Sequence, residues 1–257
     1  MQKILKILRS GKPLVLMLVP LTISLAQAQD YDALRRSLSD PDRDLTDYAR
    51  DAARKPVAVL EFLSIAPGMT VLDVYAAGGY YTYILSKAVG PEGIVYAQNT
   101  RRGLQFIEDR QDITQGEALA NKIRAGKLDN VTQLIGALDE IDIASNSLDA
   151  VMLAQTLHDF YNGNPDRALT LLRRLYDWLK PGGVIAVTDH VGLPGRDNRQ
   201  MHRMEIGQAI AVAEAAGFTA VSSDLLRNPD DDKTRSIFDP RLNRNTDRFL
   251  LKLTKPR

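Results

Sequence analysis

The segment Val71–Thr82 (VLDVYAAGGYYT) constrains the fold of this chain more than any other stretch. Its apolar run reaches Asp73, and small residues with the pair Gly78–Gly79 then lead into a helical pattern over Tyr80–Val89. This order is typical of a buried parallel strand, a tight turn and a helix N-terminus. A second strand over Gly93–Asn99 completes a βαβ unit, and in such units ligands bind beyond the carboxyl ends of the strands.

Strand and helix patterns continue to alternate after this unit. We predict further strands at Val131–Gly136, Leu148–Ala154, Val184–Asp189, Phe218–Leu226 and Arg248–Leu253, and helices within 101–127, 165–179 and 199–216. With a leading helix from Pro56, these elements predict one α/β domain over residues 56–257, preceded by a helical extension over 29–55. The polar connection 227–246 is typical of a lid, a binding loop or disorder, and its acidic run Asp230–Asp232 indicates a solvated turn.

Composition excludes several classes of function. The formal net charge of +1 provides no strongly basic surface, so we expect no nucleic-acid partner. The chain has no cysteine, which excludes disulfides, thiolate metal sites and a cysteine nucleophile. We therefore expect a fold that is held by its apolar core. The sequence does not reveal the oligomeric state.

The first 28 residues have the pattern of a signal peptide. Four basic residues (Lys3, Lys6, Arg9 and Lys12) precede an apolar run of about 14 residues and the small-x-small site Ala26-Gln27-Ala28. This run is shorter than the roughly 20 residues that span a bilayer. The pattern predicts cleavage after residue 28, a periplasmic or secreted protein, and no stable membrane anchor after cleavage.

The ordered motifs resemble those of one enzyme family. In chain order they are VLDVYAAGGYYT, IVYAQN, LDAVMLAQTLHDFY and LKPGGVIAVTDH. Together they resemble class I S-adenosylmethionine-dependent methyltransferases, and most closely a bacterial group of predicted secreted methyltransferases that share the Gly-Gly-Tyr-Tyr-Thr turn. The resemblance implies a three-layer, doubly wound, mostly parallel seven-stranded sheet of the Rossmann-like methyltransferase type, with an antiparallel last strand.

The resemblance also implies S-adenosylmethionine as cofactor and assigns residues to it. The methionine half would contact Asp73, Ala77, Gly78 and Gly79, the ribose Asn99, the adenine Ala137 and Leu138, and the methyl group the stretch that begins at Gln155. Four positions depart from the family pattern. Tyr75 and Ala77 replace glycines of the turn, and a tyrosine there would either stack on the ligand or block it. Asn99 and Ala137 stand where acidic residues are expected.

The candidate catalytic residues are His158 and Asp159, which follow the fourth strand where a general base belongs. They are equally readable as ordinary polar residues at a loop mouth. His190 and His202 are candidates for a shared substrate pocket. Imidazole and carboxylate groups also bind metals, but the histidine spacing matches no short metal motif, so we expect no metal site.

Tyr80 and Tyr81 would line a pocket for a flat substrate or simply pack in the core.

The leading functional hypothesis is S-adenosylmethionine-dependent methyl transfer to a small-molecule or envelope acceptor by an exported protein. The alternative is a non-catalytic ligand-binding protein with a degenerate methyltransferase fold. A nicotinamide dehydrogenase is disfavoured because the Gly-x-Gly-x-x-Gly turn is absent.

Overall fold

The computed structural model describes residues 30–41, 43–108 and 111–257. The predicted signal peptide, residues 1–28, lies outside these ranges. Within them, no helix combines the length and apolar character that crossing a membrane requires.

The centre of the described structure is a seven-stranded mixed sheet. Its strands are β1 (Thr70–Val74), β2 (Ile94–Asn99), β3 (Val131–Ile135), β4 (Leu148–Ala154), β5 (Leu179–His190), β6 (Thr219–Ser223) and β7 (Arg248–Thr254). The spatial order is β3-β2-β1-β4-β5-β7-β6. Strands β1 to β5 are parallel, and β7 runs antiparallel to both β5 and β6. The predicted fold class is confirmed, including the antiparallel last strand.

Helices surround the sheet in the described ranges. They are α1 (Tyr31–Leu38), α2 (Leu45–Arg54), α3 (Pro56–Leu63), α4 (Tyr80–Val89), α5 (Gln115–Gly126), α6 (Leu157–Tyr161), α7 (Pro165–Trp178), α8 (Asn198–Met201) and α9 (Ile206–Ala215). The predicted bounds of the helix after the first strand coincide with α4. Short 3₁₀ turns lie at Gly103–Gln105, Asp224–Leu226 and Pro240–Leu242.

Two apolar cores lie on opposite faces of the sheet, as alternation along a doubly buried strand requires. In β4, Val151 and Leu153 pack with α7 and α9 on one face. Ala150 and Met152 pack with α1, α3 and α4 on the other. The fold is therefore three-layered, and Asp73, whose neighbours Leu72 and Val74 belong to the α7 face, points towards the α4 layer.

Helices α1 and α2, which lie in the predicted helical extension, pack against the rest of the described structure. Leu34 and Leu38 of α1 belong to the core of the α4 face. Two salt bridges tie α2 to the region after β2, from Arg50 to Glu108 at 2.8 Å and from Asp47 to Lys122 at 3.3 Å. This packing brings α2 to the carboxyl ends of the strands.

Several predicted bounds were wrong. The helix predicted within 101–127 is confined to Gln115–Gly126, where Thr114 and Glu117 form a capping box. The helix predicted over 199–216 is divided into α8 and α9 by His202, which has a left-handed φ of 52°. Strand β5 begins at Leu179, before the Pro-Gly-Gly sequence that was expected to precede it.

The connection 227–246 is ordered by buried ion pairs. The Arg203 guanidinium lies 2.7 Å from Asp231, and both side chains are fully buried. Asp231 also accepts a hydrogen bond from the Asp247 backbone N–H at 2.9 Å, and Asp247 pairs with Arg227 at 2.8 Å. The solvated turn predicted for Asp230–Asp232 is therefore wrong for its middle residue, whose partner lies 28 positions away in sequence.

Candidate functional site

The turn between β1 and α4 is held by two amide side chains that end β2. Gln98 accepts a hydrogen bond from the Tyr75 N–H at 3.0 Å and donates to the Gly136 carbonyl at 2.8 Å. Asn99 accepts from the Ala77 N–H at 2.9 Å and donates to the Ala77 carbonyl at 3.3 Å. These bonds stabilise left-handed φ values of 51° at Tyr75 and 50° at Ala77, which favour glycine.

Asn99, which the resemblance assigns to the ribose, contacts the turn, and its ribose role stays a prediction. Its side chain is buried, and the turn backbone bonds to both of its polar atoms. The amide stabilises a turn in which Tyr75 and Ala77 stand where the family pattern has glycines.

The two glycines of the turn have steric roles. A Cβ at Gly78 would collide with the Glu108 carboxylate. Gly79 has a φ of +85°, and a Cβ there would lie 2.7 Å from Leu119 Cδ1. Both positions consequently require glycine, Gly78 for the approach of Glu108 and Gly79 for its backbone conformation and the packing of α5.

Asp73 is a buried carboxylate at the carboxyl end of β1. Burial raises the pKa of Asp73 from 3.8 to about 7, although hydrogen bonds from Thr82 and the charge of Arg54 oppose the shift. The Thr82 hydroxyl donates to it at 2.6 Å. The group thus changes charge near neutral pH, and a cation placed against it would favour the ionised form.

Three cavities surround the turn. The smallest, of about 220 Å³, is lined by Asp73, Tyr75, Ala77, Gly78, Tyr80, Tyr81, Gln155, Arg50, Arg54, Glu108 and neighbouring residues. It shares Arg54, Ala77 and Gln155 with a larger cavity of about 1010 Å³. On the other side, Tyr75 also lines a cleft of about 380 Å³ with Ala137, Leu138 and Phe160. Most of the predicted cofactor residues therefore line these cavities, whereas Gly79 and Asn99 line none of the three.

Tyr75 lies between the small cavity and the cleft of Leu138. Its half-buried ring packs against Phe160, with ring centroids 5.7 Å apart. The ring therefore packs on the side of the cleft, and a ligand that extended from the small cavity into the cleft would contact it.

The large cavity lies beneath α2, the segment around Phe106 and the end of the 227–246 connection. Arg54 and Arg248 both line it, and in the described ranges no carboxylate lies within 4.0 Å of either guanidinium. Arg248 donates to two backbone carbonyls, those of Ala53 and Arg244, while its buried Nε has no hydrogen-bond partner. Burial and the nearby charge of Arg54 lower the pKa of Arg248 to about 10. This wall of the cavity is suited to an anionic group.

His158 is buried between two carboxylates. Its Nδ1 lies 2.8 Å from Asp189 Oδ1, and its Nε2 lies 3.2 Å from Asp159 Oδ1. Although burial favours the neutral ring, the charges of Asp189 and Asp159 raise the pKa of His158 from 6.5 to about 10. A histidine that is already protonated cannot accept a proton, so this geometry argues against His158 as the general base.

His190, the last residue of β5, has the opposite character. Burial, with the positive charges of Arg248 and His158, lowers the pKa of His190 well below 6.5. Its Nδ1 lies 2.7 Å from the Thr246 hydroxyl, and the ring lines the large cavity. In the described structure Nε2 has no hydrogen-bond partner. A neutral ring with a free nitrogen at a cavity wall is able to accept a proton.

The remaining predicted residues are Tyr80, Tyr81, Asp159 and His202. Tyr80 and Tyr81 are buried and pack edge to face at 4.9 Å, and the Tyr80 hydroxyl donates to Asp51 at 2.7 Å beneath the Arg54 guanidinium. Packing therefore dominates, although both rings line the small cavity. Asp159 and His202 lie at a separate cleft of about 530 Å³.

Sequence reasoning missed Arg54, Glu108 and Arg248. Arg54 and Glu108 lie in polar segments without a motif, and Arg248 begins a strand whose pattern indicates only burial. Their contribution depends on tertiary packing, so no local signal identifies them.

Residues 92–187 match the family model described as a methyltransferase domain. A demethylmenaquinone methyltransferase of Geobacillus stearothermophilus is 32% identical over 126 residues, which cover 49% of this chain and 47% of that protein. A protein of the same name from Lactococcus lactis is 29% identical over 169 residues, covering 65% of this chain and 57% of its own length. The chain thus spans about half the length of the curated relatives it matches.

Solved structures share the fold. A SAM-dependent methyltransferase from Aquifex aeolicus has a TM-score of 0.58 at 21% identity and covers 88% of this chain and 98% of its own. The [4+2]-cyclase SpnF also has a TM-score of 0.58, at 19% identity, covering 80% and 81%. These structural similarities, each below 25% identity, show the fold alone, and the methyltransferase domain match covers residues 92–187.

Proposed function

We propose that this protein is an S-adenosylmethionine-dependent methyltransferase. The observation that carries the proposal is the pairing of Asp73 and Arg54 on the wall of one small cavity beside Gly78. The methionine half of the cofactor bears an ammonium and a carboxylate, and these charges are complementary to the two side chains. The turn provides room for close approach of the ligand to the backbone.

The adenosine half belongs in the cleft of Ala137, Leu138 and Phe160, across Tyr75 from the small cavity. These side chains offer apolar contacts for a flat base, and Tyr75 contributes an aromatic face. Since Asn99 is committed to the turn, the ribose hydroxyls require acceptors from outside β2. Glu108, a buried carboxylate that lines the small cavity, is the candidate that we favour.

The acceptor belongs in the large cavity. Phe106 and Phe238 make part of its wall apolar and aromatic, while Arg248 and Arg54 make another part positive. The combination supports an apolar ring compound with an acidic or anionic oxygen, and the name of the demethylmenaquinone methyltransferases is compatible with such an acceptor.

The bound cofactor supplies an electrophilic methyl group. The residues of this chain would orient the acceptor and remove its proton: Arg248 would bind the anionic part, and His190 Nε2 would accept the proton of an acceptor hydroxyl.

We also propose that the protein acts outside the cytoplasm, in line with the predicted signal peptide over residues 1–28 and the resemblance to the secreted bacterial group. N-terminal sequencing of protein from a periplasmic fraction tests this proposal. A mature chain that retains Met1 would contradict it.

Calorimetry with S-adenosylmethionine and the full chain tests the proposed function. We expect saturable binding that is weakened by Asp73→Asn and by Arg54→Gln. The control is Asp129→Asn, which makes the same chemical change at an exposed aspartate after α5. Absence of binding at millimolar cofactor would refute the proposal.

The second candidate is a non-catalytic ligand-binding protein. The commitment of Asn99 to the turn favours it, because the usual ribose contact is then missing. Thermal-shift measurements with S-adenosylmethionine and with apolar aromatic acids distinguish the two. Stabilisation by the acids alone would support the binding protein.

A further inference from the structure

We propose that His158, Asp159 and His202 form a binding site for a divalent transition-metal ion of the zinc class. Their candidate ligand atoms all lie within 4.8 Å of one another, although the residues come from α6 and from the end of α8. The site adjoins the large cavity but shares none of the proposed cofactor contacts. It therefore stands or falls independently of methyl transfer.

The distances match those between metal ligands. Asp159 Oδ1 lies 3.2 Å from His158 Nε2 and 3.5 Å from His202 Nδ1. Zinc binds imidazole nitrogen and carboxylate oxygen at about 2.0–2.2 Å, so neighbouring ligands in a tetrahedral site lie about 3.3 Å apart. Both distances from Asp159 thus match this spacing, and the two imidazole nitrogens lie within 4.8 Å of each other.

His158 Nε2 provides an independent sign of a ligand. The side chain is 3% exposed, and this nitrogen has no hydrogen-bond partner within the described ranges. The nearby Asp159 oxygen falls outside hydrogen-bonding geometry. A buried nitrogen without a partner is costly, and coordination to an ion, which would replace the second ring proton, would satisfy it.

The opposite nitrogen of the same ring is oriented by a carboxylate, as is usual for metal-binding histidines. Asp189 Oδ1 lies 2.8 Å from His158 Nδ1, and Asp189 is itself fixed by the backbone N–H groups of His158 and His190, each at 2.8 Å. Asp189 is fully buried. This arrangement directs Nε2 of His158 towards Asp159 and His202.

His202 is held with similar rigidity. It lies in the left-handed conformation that ends α8, and the next residue, Arg203, is fixed by its buried pair with Asp231. Asn162 donates to the Arg203 carbonyl at 2.8 Å and so links α6 to this segment. The two histidines therefore keep their separation without an ion.

Three protein ligands leave at least one coordination position open. Asp159 and His202 line a cleft that also contains Arg167 and Arg199. Their positive charges favour an anionic oxygen, such as a carboxylate, as the remaining ligand. Such a site would be of the open type that binds water or a substrate oxygen.

Titration of the chelator-treated, tag-free full chain with Co²⁺, followed by visible spectroscopy, tests the proposal. We expect one equivalent of Co²⁺ with the d–d absorption of four- or five-coordination, displaced by Zn²⁺. His202→Ala changes a partly exposed side chain and should abolish these bands. Asp189→Asn should lower the affinity by about 10–100-fold, as loss of an outer carboxylate does.

The matched control is His190→Gln, which removes the remaining histidine of the chain and should leave the Co²⁺ spectrum intact. Circular dichroism of each variant verifies folding. The proposal is overturned if wild-type protein shows no saturable Co²⁺ or Zn²⁺ binding at 100-fold excess. It is also overturned if folded His202→Ala binds the metal as tightly as the wild type.

Discussion

Replacement of Asp73 by asparagine should stabilise the fold while weakening cofactor binding. Asparagine keeps an oxygen that can accept the Thr82 hydroxyl hydrogen bond, which measures 2.6 Å, but it cannot ionise. The substitution therefore removes one charge from a fully buried position and changes little else. Its two effects have opposite signs, which separates them from general damage to the structure.

The magnitude for stability comes from the pKa of Asp73, which burial raises from 3.8 to about 7. Well below pH 3.8 the group is protonated in both the folded and unfolded states. Between pH 3.8 and pH 7 the unfolded state has lost its proton while the folded state keeps it, so the free energy of unfolding falls across this range and levels off above it. The full loss is on the order of 4 kcal/mol.

Urea unfolding at pH 4 and at pH 8 measures this effect. Wild type and Asp73→Asn should have similar stability at pH 4, and the variant should be more stable at pH 8. Asp129→Asn should show no such difference between the two pH values. A variant that is less stable than wild type at pH 8 would contradict the raised pKa.

Cofactor affinity supplies the second readout. Only the ionised carboxylate attracts the cofactor ammonium, so the affinity of the wild type should rise about tenfold between pH 6 and pH 7.5. Above about pH 8 the cofactor amine begins to lose its own proton. Calorimetry should find weaker and nearly pH-independent binding for Asp73→Asn. Equal pH dependence in both proteins would refute a contact between Asp73 and the ammonium.

Three further substitutions test the surrounding structure by urea unfolding. Asn99→Asp introduces the acid that the family resemblance expects. It should nevertheless lower the free energy of unfolding by about 1–3 kcal/mol, since it loses the bond to the Ala77 carbonyl and buries a charge. Unchanged stability would show that the amide is dispensable. Gly79→Ala should lower the free energy of unfolding by about 1–3 kcal/mol, because alanine would be strained at this left-handed φ and would contact Leu119. An effect below about 0.5 kcal/mol would contradict this strain. Asp231→Asn should lower the free energy of unfolding by about 3–5 kcal/mol, because it leaves the Arg203 guanidinium buried without a countercharge. The control Asp230→Asn, at an exposed position, should change it little. Equal effects would mean that this ion pair does not hold the 227–246 connection.

The elements that the sequence predicted best are those with strong local patterns. The helix Tyr80–Val89 and strand Leu148–Ala154 have the predicted bounds because apolar periodicity and the Gly78–Gly79 turn determine them. The predicted sheet follows from the alternation of such elements. Burial of nearly every residue in these two segments leaves little freedom for a different register.

The site was less predictable because its polar groups find partners that are distant in sequence. Asn99 was interpreted as a ligand contact. Its amide can both donate to and accept from a peptide group, and in the structure it bonds to the N–H and carbonyl of Ala77. His158 was correctly located beyond the fourth strand, yet its protonation depends on Asp189, 31 positions later. Asp231 lies in an acidic triplet whose pattern cannot reveal a buried Arg203.

Helix α2 covers the large cavity, so the shape of this cavity depends on residues outside the sheet edge. Ala49, Ala52 and Ala53 line the cavity from above, whereas the Asp73 carboxylate and the Gly78 turn belong to the sheet edge below. Larger side chains at these alanines would reshape the space for an acceptor without altering the strands. Substitution of these alanines would therefore change the proposed acceptor space through one short helix, provided that Arg54 of the same helix, which also lines the cofactor cavity, is kept.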